Sequence, residues 1–182
     1  MRSAVVRTDR YTRGAIAFHW IIAAAILFNL WLGIWHESLP REWRVMPVHK
    51  ATGITILVLS VARLAWRLTH RPPPLPATVP GWERAAAKAV HRTFYFLMIA
   101  VPLAGWAMSS VGTPPRPLDW YGLFPIPYLP VSAAVGDLGH DAHVILGYAL
   151  AALVVIHIAA ALRHHLLLRD ATLVRMLPVL RA

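Results

Sequence analysis

Cysteine is absent from this sequence of 182 residues, and acidic residues are scarce. Without a thiol, the chain cannot form disulfides, hold an iron–sulfur cluster through thiolates, or attach a c-type haem through Cys-x-x-Cys-His. Eight Asp and Glu residues stand against 18 Lys and Arg residues, which leaves a net charge of +10. A positive balance of this size invites comparison with nucleic-acid-binding proteins, and the distribution of the charges tests that interpretation.

Apolar residues dominate the sequence instead. They make up 58% of the chain and give a mean hydropathy of +0.54, more than a soluble domain of this size usually has. A helix needs about 20 residues to cross roughly 30 Å of hydrocarbon. The sequence therefore predicts an all-α integral membrane protein, a four-helix transmembrane bundle that forms one domain over residues 1–182. Its helices are predicted at about 15–35, 49–68, 93–111 and 143–166, with a linker at 69–92 and a loop at 112–142.

The basic residues alternate between the connecting segments of this bundle. Fourteen of the 18 lie before the first helix, around the linker, or at the end of the fourth helix: Arg2, Arg7, Arg10, Arg13, Arg63, Arg67, Arg71, Arg84, Lys88, Arg92, Arg163, Arg169, Arg175 and Arg181. By the positive-inside rule, both termini and the linker are predicted to be cytoplasmic and the long loop periplasmic, in a bacterial inner membrane. The bundle explains the charge pattern, so we expect the lipid bilayer as a partner and no nucleic acid.

Ten histidines in a small membrane protein need a reason, because an ionisable side chain at membrane depth is costly unless it is paired, coordinated or in contact with water. His143 and His157 are 14 residues apart on the predicted fourth helix. That spacing places them within roughly 40° of each other around the helix and about 21 Å apart along its axis. One helix therefore presents one imidazole near each membrane surface.

Each of these imidazoles has a partner at matching depth. His19, near the cytoplasmic start of the first helix, matches His157, and we call these two residues the inner pair. His49, at the periplasmic start of the second helix, matches His143, and these form the outer pair. Two imidazoles fill both axial positions of a haem iron. The pattern thus predicts two non-covalent b haems in the bundle core, which carry electrons rather than bind oxygen.

Three further residues support the haem interpretation. Gly53 and Gly147 follow the outer pair's histidines by four residues, so a flat macrocycle can lie close to the backbone there. Arg63 follows His49 by 14 residues and therefore projects from the same helix face at the depth of the inner pair. Its guanidinium can pair there with a haem propionate.

Other uses of the four paired histidines stay open at this point. They could form interhelical hydrogen bonds in an ordinary bundle, or relay protons in a haem-free transporter. Zinc or copper is a third alternative, although about 21 Å between the two levels prevents one metal from gathering all four side chains. Two histidines at each level suit haem better.

The remaining histidines fit the membrane surfaces. His140 is about 100° from the ligand face and is predicted to lie in a loop or cap. His36 and His70 are assigned to the interface, and His91 to a structural role at the start of the third helix. His164, about two turns beyond the inner pair, is a candidate polar partner for a quinone near the inner haem.

Three motifs run along the predicted helices: Ala17-Phe18-His19-Trp20, His49-Lys50-Ala51-Thr52-Gly53 continuing to Arg63-Leu64, and His143 through Leu146-Gly147-Tyr148 to His157. With these motifs, the sequence resembles the bacterial cytochrome b561 family, in the branch of the superoxide oxidases. The resemblance covers nearly the whole chain, and nothing in the third loop is carried over from the family. It implies haem ligands at the four histidines that spacing selects. It also implies superoxide as the electron donor at the periplasmic face and ubiquinone as the acceptor.

One basic residue agrees with an anionic donor. Lys50, beside His49, could form with Arg116 a positive funnel that speeds the encounter with superoxide. It could equally extend to the interface or bind an outer haem propionate. The main rival interpretation is a cytochrome b subunit that links a periplasmic dehydrogenase or hydrogenase to the quinone pool. Such a subunit would copurify with its redox partner.

Overall fold

The structure is a computed structural model that describes residues 10–70, 72–74 and 79–177. Of the basic residues considered above, Arg2, Arg7, Arg71 and Arg181 lie outside the described residues. The long helices are α1 (Arg13–Trp35), α2 (Val45–Thr69), α3 (Gly81–Ser109) and α4 (Ala133–Arg163). Shorter elements are 3-10 turns at Arg41–Trp43 and Val174–Met176, a π-helical segment at His164–Leu168, and the strands β1 (Asp119–Trp120) and β2 (Phe124–Pro125).

Consecutive helices pack side by side. The close pairs are α1 with α2, α2 with α3, and α3 with α4, whereas α4 contacts α1 and α2 much less. All four helices contribute to one buried apolar cluster, which consists of Ile22, Ile26, Ile56, Leu97, Met98 and Leu150. Leu150 lies midway along α4 between His143 and His157. The cluster therefore forms an apolar layer between the two levels of paired histidines.

Three of the described helices are long and apolar enough to cross a membrane, namely α1, α2, and α4 with its π-helical extension. The first turns of α3 carry charged residues, including Glu83, Arg84 and Lys88, which lower the average apolarity of that helix. Large apolar side chains point outward from the bundle, among them Val155 and Leu167, which are 67% and 76% exposed. Such a surface suits lipid contact and would be unusual on a soluble monomer.

The helices begin earlier than the hydropathy pattern predicts. The third was expected from residue 93 and starts at Gly81, and the fourth was expected from residue 143 and starts at Ala133. Ser132 caps α4, because its hydroxyl accepts a hydrogen bond from the Val135 amide at 3.4 Å. Hydropathy detects only the part of a helix that suits hydrocarbon, so polar and amphipathic first turns escape it. The predicted linker and long loop are correspondingly shorter.

The segment between α3 and α4 contains a small antiparallel hairpin, whose shape the sequence did not predict. Asp119 pairs with Pro125 across the hairpin, and its turn uses left-handed backbone at Tyr121 and Gly122. A side-chain oxygen of Asp119 accepts a hydrogen bond from the Gly122 amide at 2.6 Å, which closes the turn. We call this side of the bundle the hairpin face, and the opposite side, where α1 begins and α4 ends, the terminal face.

Two aromatic side chains fix the hairpin to α2. The Trp120 indole donates a hydrogen bond to the Thr55 hydroxyl at 3.0 Å, and the Tyr121 hydroxyl lies 2.9 Å from the Thr52 hydroxyl. The Lys50 ammonium also donates to the Pro117 carbonyl just before β1. These contacts hold the loop over the helix that carries His49.

Candidate functional site

The outer pair meets between α2 and α4 at the hairpin face. The imidazole rings of His49 and His143 have centroids 5.9 Å apart, with an angle of 84° between their planes. The Nδ1 atom of His49 lies 3.1 Å from the Asn29 carbonyl oxygen, and that of His143 lies 2.9 Å from the Val101 carbonyl oxygen. When each Nδ1–H donates to its carbonyl, each Nε2 lone pair is left for a metal. The neighbouring helices thus set both tautomers.

A glycine lies beneath each of these two rings. A Cβ atom added at Gly33 would be 2.9 Å from Cε1 of His49, and one added at Gly105 would be 2.9 Å from Cε1 of His143. Each glycine follows the residue whose carbonyl accepts the hydrogen bond by four positions, which is about one helical turn. The imidazole ring therefore packs against a turn of the adjacent helix that has no side chain at this point. Both imidazoles therefore use the same arrangement, a backbone acceptor and a glycine on the adjacent helix. Neither glycine was predicted from the sequence.

A cavity of about 630 Å³ adjoins the outer pair. Gly53 and Gly147, the two glycines predicted to make room for a macrocycle, line it together with Lys50 and Arg116. A Cβ added at Gly147 would meet nothing within 4 Å, and one at Gly53 would approach only the Asn29 amide nitrogen, at 3.7 Å. The volume falls within the usual range of small-molecule and cofactor sites. The position of both glycines is consistent with their predicted role.

The inner pair meets between α1 and α4 toward the terminal face. The rings of His19 and His157 have centroids 6.2 Å apart, and the ring of Phe94 approaches His157 edge-on at 5.2 Å. His91 also approaches His157, with 5.9 Å between ring centroids. This neighbour was not predicted, since the sequence placed His91 at the start of a helix that in fact begins ten residues earlier.

Arg63 lies near the inner pair, as its spacing from His49 predicts. It is half-buried, and its guanidinium carbon is 5.7 Å from the centroid of the Tyr95 ring; that of Arg67 is 5.8 Å from the same centroid. Both arginines line a second cavity of about 180 Å³ at the terminal face, with Trp66 and Tyr95. A cavity lined by guanidinium groups and aromatic rings is suited to a carboxylate or phosphate.

The spacing within each pair fits a metal held between two imidazoles. An imidazole nitrogen binds a transition metal at about 2.0–2.1 Å, which places the centres of two trans rings roughly 6 Å apart. The helix pairs that carry these rings, α1 with α4 and α2 with α4, are those that pack less closely, which leaves room for a flat group between them. Within the described residues, no group of three or more His, Cys, Asp or Glu side chains could hold a metal ion. Haem therefore fits both pairs better than zinc.

The structure also gives the positions of three histidines that were not predicted to be haem ligands. His140 lies on α4 and lines the outer cavity, so its prediction as a loop or cap residue was wrong because the helix starts early. His70 stacks on Trp66 at the terminal face, with 3.9 Å between ring centroids. His164 has Nδ1 2.6 Å from a carboxylate oxygen of Asp170 and Nε2 3.6 Å from one of Glu83. Both of its nitrogens face carboxylates, an arrangement that gives no support to a direct quinone contact.

Known proteins resemble this chain over most of its length. The family described as prokaryotic cytochrome b561 matches residues 10–179. Cytochrome b561 homolog 2 of Escherichia coli (strain K12) is 33% identical over 93% of this chain and 92% of its own length. The probable superoxide oxidase CybB of Yersinia pestis is 28% identical over 93% of this chain and 96% of its own. Cytochrome b562 of Cereibacter sphaeroides is 29% identical over 92% of this chain and 94% of its own.

Proposed function

The chain belongs to the prokaryotic cytochrome b561 family of membrane electron-transfer proteins, and from that premise we propose that it is a di-haem superoxide:ubiquinone oxidoreductase of the inner membrane. The family assignment confirms the resemblance noted in the motifs, and it implies haem b as the cofactor. Two superoxide anions would each lose one electron to become O₂, and one ubiquinone would take up both electrons and two protons to become ubiquinol. The observation that carries the proposal is the presence of two histidine pairs at opposite ends of one bundle.

The residues that would hold the cofactors are His49 and His143 at the outer level and His19 and His157 at the inner level. When bound there, b haems would supply one-electron transfer. The chain's own contribution at the outer level is orientation, because the carbonyls of α1 and α3 fix the ring tautomers of the outer pair. At the inner level, Arg63 is placed to neutralise a propionate.

The charge distribution supports one orientation in the membrane. Of the 14 basic residues that the structure describes, ten lie on segments at the terminal face, which favours a cytoplasmic position for that face. The hairpin face would then be periplasmic and would meet superoxide. Lys50 and Arg116 line the cavity at this face, so a small anion would find positive charge beside the outer pair.

The terminal face would serve the quinone. A lipid-soluble acceptor can reach the inner pair from the bilayer between α1 and α4, which pack less closely than neighbouring helices. Reduction there would draw its protons from the cytoplasm. The alternative is a cytochrome b subunit that links a periplasmic dehydrogenase or hydrogenase to the quinone pool. Purification of the protein distinguishes the two functions, because such a subunit would copurify with its redox partner.

The test is to purify the chain alone, count its haems by pyridine haemochrome, and supply superoxide with ubiquinone-1. We expect two b haems per chain and superoxide-dependent ubiquinol formation. His143→Ala and His157→Ala should each lose about one haem and abolish turnover, whereas His140→Ala should retain both. A protein without b-type bands would contradict the proposal. A di-haem protein inert to superoxide that copurifies with a redox enzyme would establish the subunit role instead.

A further inference from the structure

A cluster of four ionisable residues connects α3, α4 and the segment after α4 at the terminal face. We call Glu83, Arg163, His164 and Asp170 the terminal ion cluster. Arg163 Nη1 donates to Glu83 Oε1 at 3.0 Å. His164 bridges the two carboxylates, with Nδ1 2.6 Å from Asp170 Oδ2 and Nε2 3.6 Å from Glu83 Oε2. An imidazole that faces a carboxylate at each nitrogen is stabilised as the imidazolium and can hold a transferable proton on one nitrogen while the other stays hydrogen-bonded.

Local backbone structure builds this bridge. The helix loosens into a π-helical segment at His164–Leu168 and ends at Arg169 in a left-handed conformation, with φ of 51°. The chain then turns back, so that the Asp170 amide donates to the His164 carbonyl at 3.2 Å. π-Helical segments occur frequently at functional sites. Here the segment places Asp170 directly against the imidazole of His164.

The cluster contains a buried carboxylate oxygen that a purely structural ion pair does not explain. Glu83 is only 9% exposed although it lies in the first turn of α3. Among the described residues, its Oε2 atom has no hydrogen-bond partner. The Thr172 amide donates to Asp170 Oδ1 at 2.8 Å. An unsatisfied carboxylate oxygen next to Nε2 of His164 is suited to bound water.

The cluster also lies between the inner pair and the terminal face. His164 is seven residues beyond His157 on the same continuous helix, and Glu83 is eight residues before His91, which contacts His157. At 1.5 Å per helical residue, both are roughly 10–12 Å from the level of the inner pair. A proton that passes from His164 to Glu83 would move onto a buried carboxylate of α3.

We propose that His164 and Glu83 form a proton relay that supplies the quinone reduced near the inner pair, with Asp170 as the counter-ion of His164. This inference rests on the proposed function. A proton from water would convert His164 to the imidazolium, whose Nδ1–H stays hydrogen-bonded to the ionised Asp170. Its Nε2–H would then pass a proton to Glu83 Oε2, and Glu83 would release a proton toward a quinone oxygen that has accepted an electron, which returns His164 to its starting neutral form. Two such transfers, with the two electrons from superoxide, complete one quinol. Arg163 is a positioning residue, because it holds Oε1 and leaves Oε2 for the transfer.

The electrostatics of Asp170 agree with its role as the counter-ion of His164. Burial alone would raise the pKa of Asp170, but hydrogen bonds from Thr172 and from His164 outweigh this effect and lower it below its ordinary value. An ionised carboxylate at this position attracts protons from water toward His164. The charged groups that face Glu83 from other elements are Arg163 and His164, and through His164 the carboxylate of Asp170.

The test uses Glu83→Gln in the purified holoprotein, because the amide keeps the side chain's shape but cannot carry a proton. Haems reduced with dithionite under anaerobic conditions are mixed with ubiquinone-1 in a stopped-flow instrument between pH 6 and 9. We expect reoxidation to slow at least about tenfold, with a changed pH profile and a changed rate ratio between H₂O and D₂O. Glu83→Asp should restore part of the rate. Glu42→Gln, which alters an exposed carboxylate in the turn between α1 and α2, is the matched control.

The outcomes separate this inference from the proposed function. A Glu83→Gln protein with the wild-type rate and pH profile would overturn the relay, as would a loss of haem or thermal stability with an unchanged rate per haem. If wild-type haems are oxidised by quinone with the expected Glu83 dependence but superoxide does not reduce them, the relay stands and the donor is wrong. If wild-type haems do not react with quinone, both the relay and the proposed function are wrong.

Discussion

At Gly33 and Gly105, one methyl group would displace an imidazole of the outer pair. Substitution of Gly105 by Ala puts a Cβ atom 2.9 Å from Cε1 and Nδ1 of His143, closer than real Cβ contacts allow. We expect Gly105→Ala and Gly33→Ala each to lose most of the outer haem and about half of the total b-type absorbance. Pyridine haemochrome analysis of the purified proteins measures this loss.

The matched control for these variants is Gly81→Ala at the start of α3, where a Cβ would meet nothing within 4 Å. It should keep the full haem content. A Gly105→Ala protein that retains both haems with an unshifted spectrum would show that the ring of His143 does not lie over this turn in the loaded protein.

The two glycines show where sequence reasoning stops at the scale of single residues. The histidine pairs could be predicted because a 14-residue spacing fixes angle and depth along one helix. The contact of Gly33 with His49, or of Gly105 with His143, depends on which faces of two helices meet. The periodicity of one helix does not contain that information. A glycine in both α1 and α3 is only a weak indication of these contacts.

Among the helices, hydropathy located the four long elements but not their ends. Gly81 and Ala133 begin helices that extend about ten residues beyond the predicted starts. Ser132, which lies directly before α4, is a residue type that favours the N-cap position and could have indicated the start of this helix. The terminal ion cluster was missed for the same reason, because Glu83 was assigned to a linker rather than to a helix that packs against α4.

The hairpin between α3 and α4 acts as a separate element fixed to α2. Trp120→Phe removes the donor to Thr55, and Tyr121→Phe removes the hydroxyl that meets Thr52. Each hydrogen bond contributes about 0.5–1.5 kcal/mol, so each substitution should raise local opening of the hairpin up to about tenfold. Hydrogen–deuterium exchange of residues 117–126 in the solubilised holoprotein measures this opening.

Tyr148→Phe provides the control, since Tyr148 is exposed on the surface of α4. Its exchange in the hairpin should equal that of the wild type. If Trp120→Phe and Tyr121→Phe both leave exchange unchanged, other contacts, such as the bond from Lys50 to the Pro117 carbonyl, hold the loop.

For the whole molecule, the apolar layer around Ile56 and Leu150 separates two polar regions with different tasks. Electrons can cross such a layer between haems, whereas protons and ions cannot, because desolvation opposes a charge in a hydrocarbon-like interior. Superoxide oxidation and quinone protonation would then stay on opposite sides. The basic residues that the structure describes are divided accordingly, with most at the terminal face and a small positive group at the hairpin face.

That small group predicts the salt dependence of superoxide oxidation. Lys50 and Arg116 line the outer cavity, and the bond from Lys50 to the Pro117 carbonyl holds its ammonium beside His49. Because charges are screened beyond about 8–10 Å at 0.1–0.15 M salt, the second-order rate of haem reduction by superoxide should fall several-fold between about 10 and 150 mM salt. Lys50→Glu should lower the rate at low salt and flatten this dependence, whereas reduction by an uncharged donor should change in neither protein. Equal salt dependence in Lys50→Glu and the wild type would show that these charges do not guide the donor.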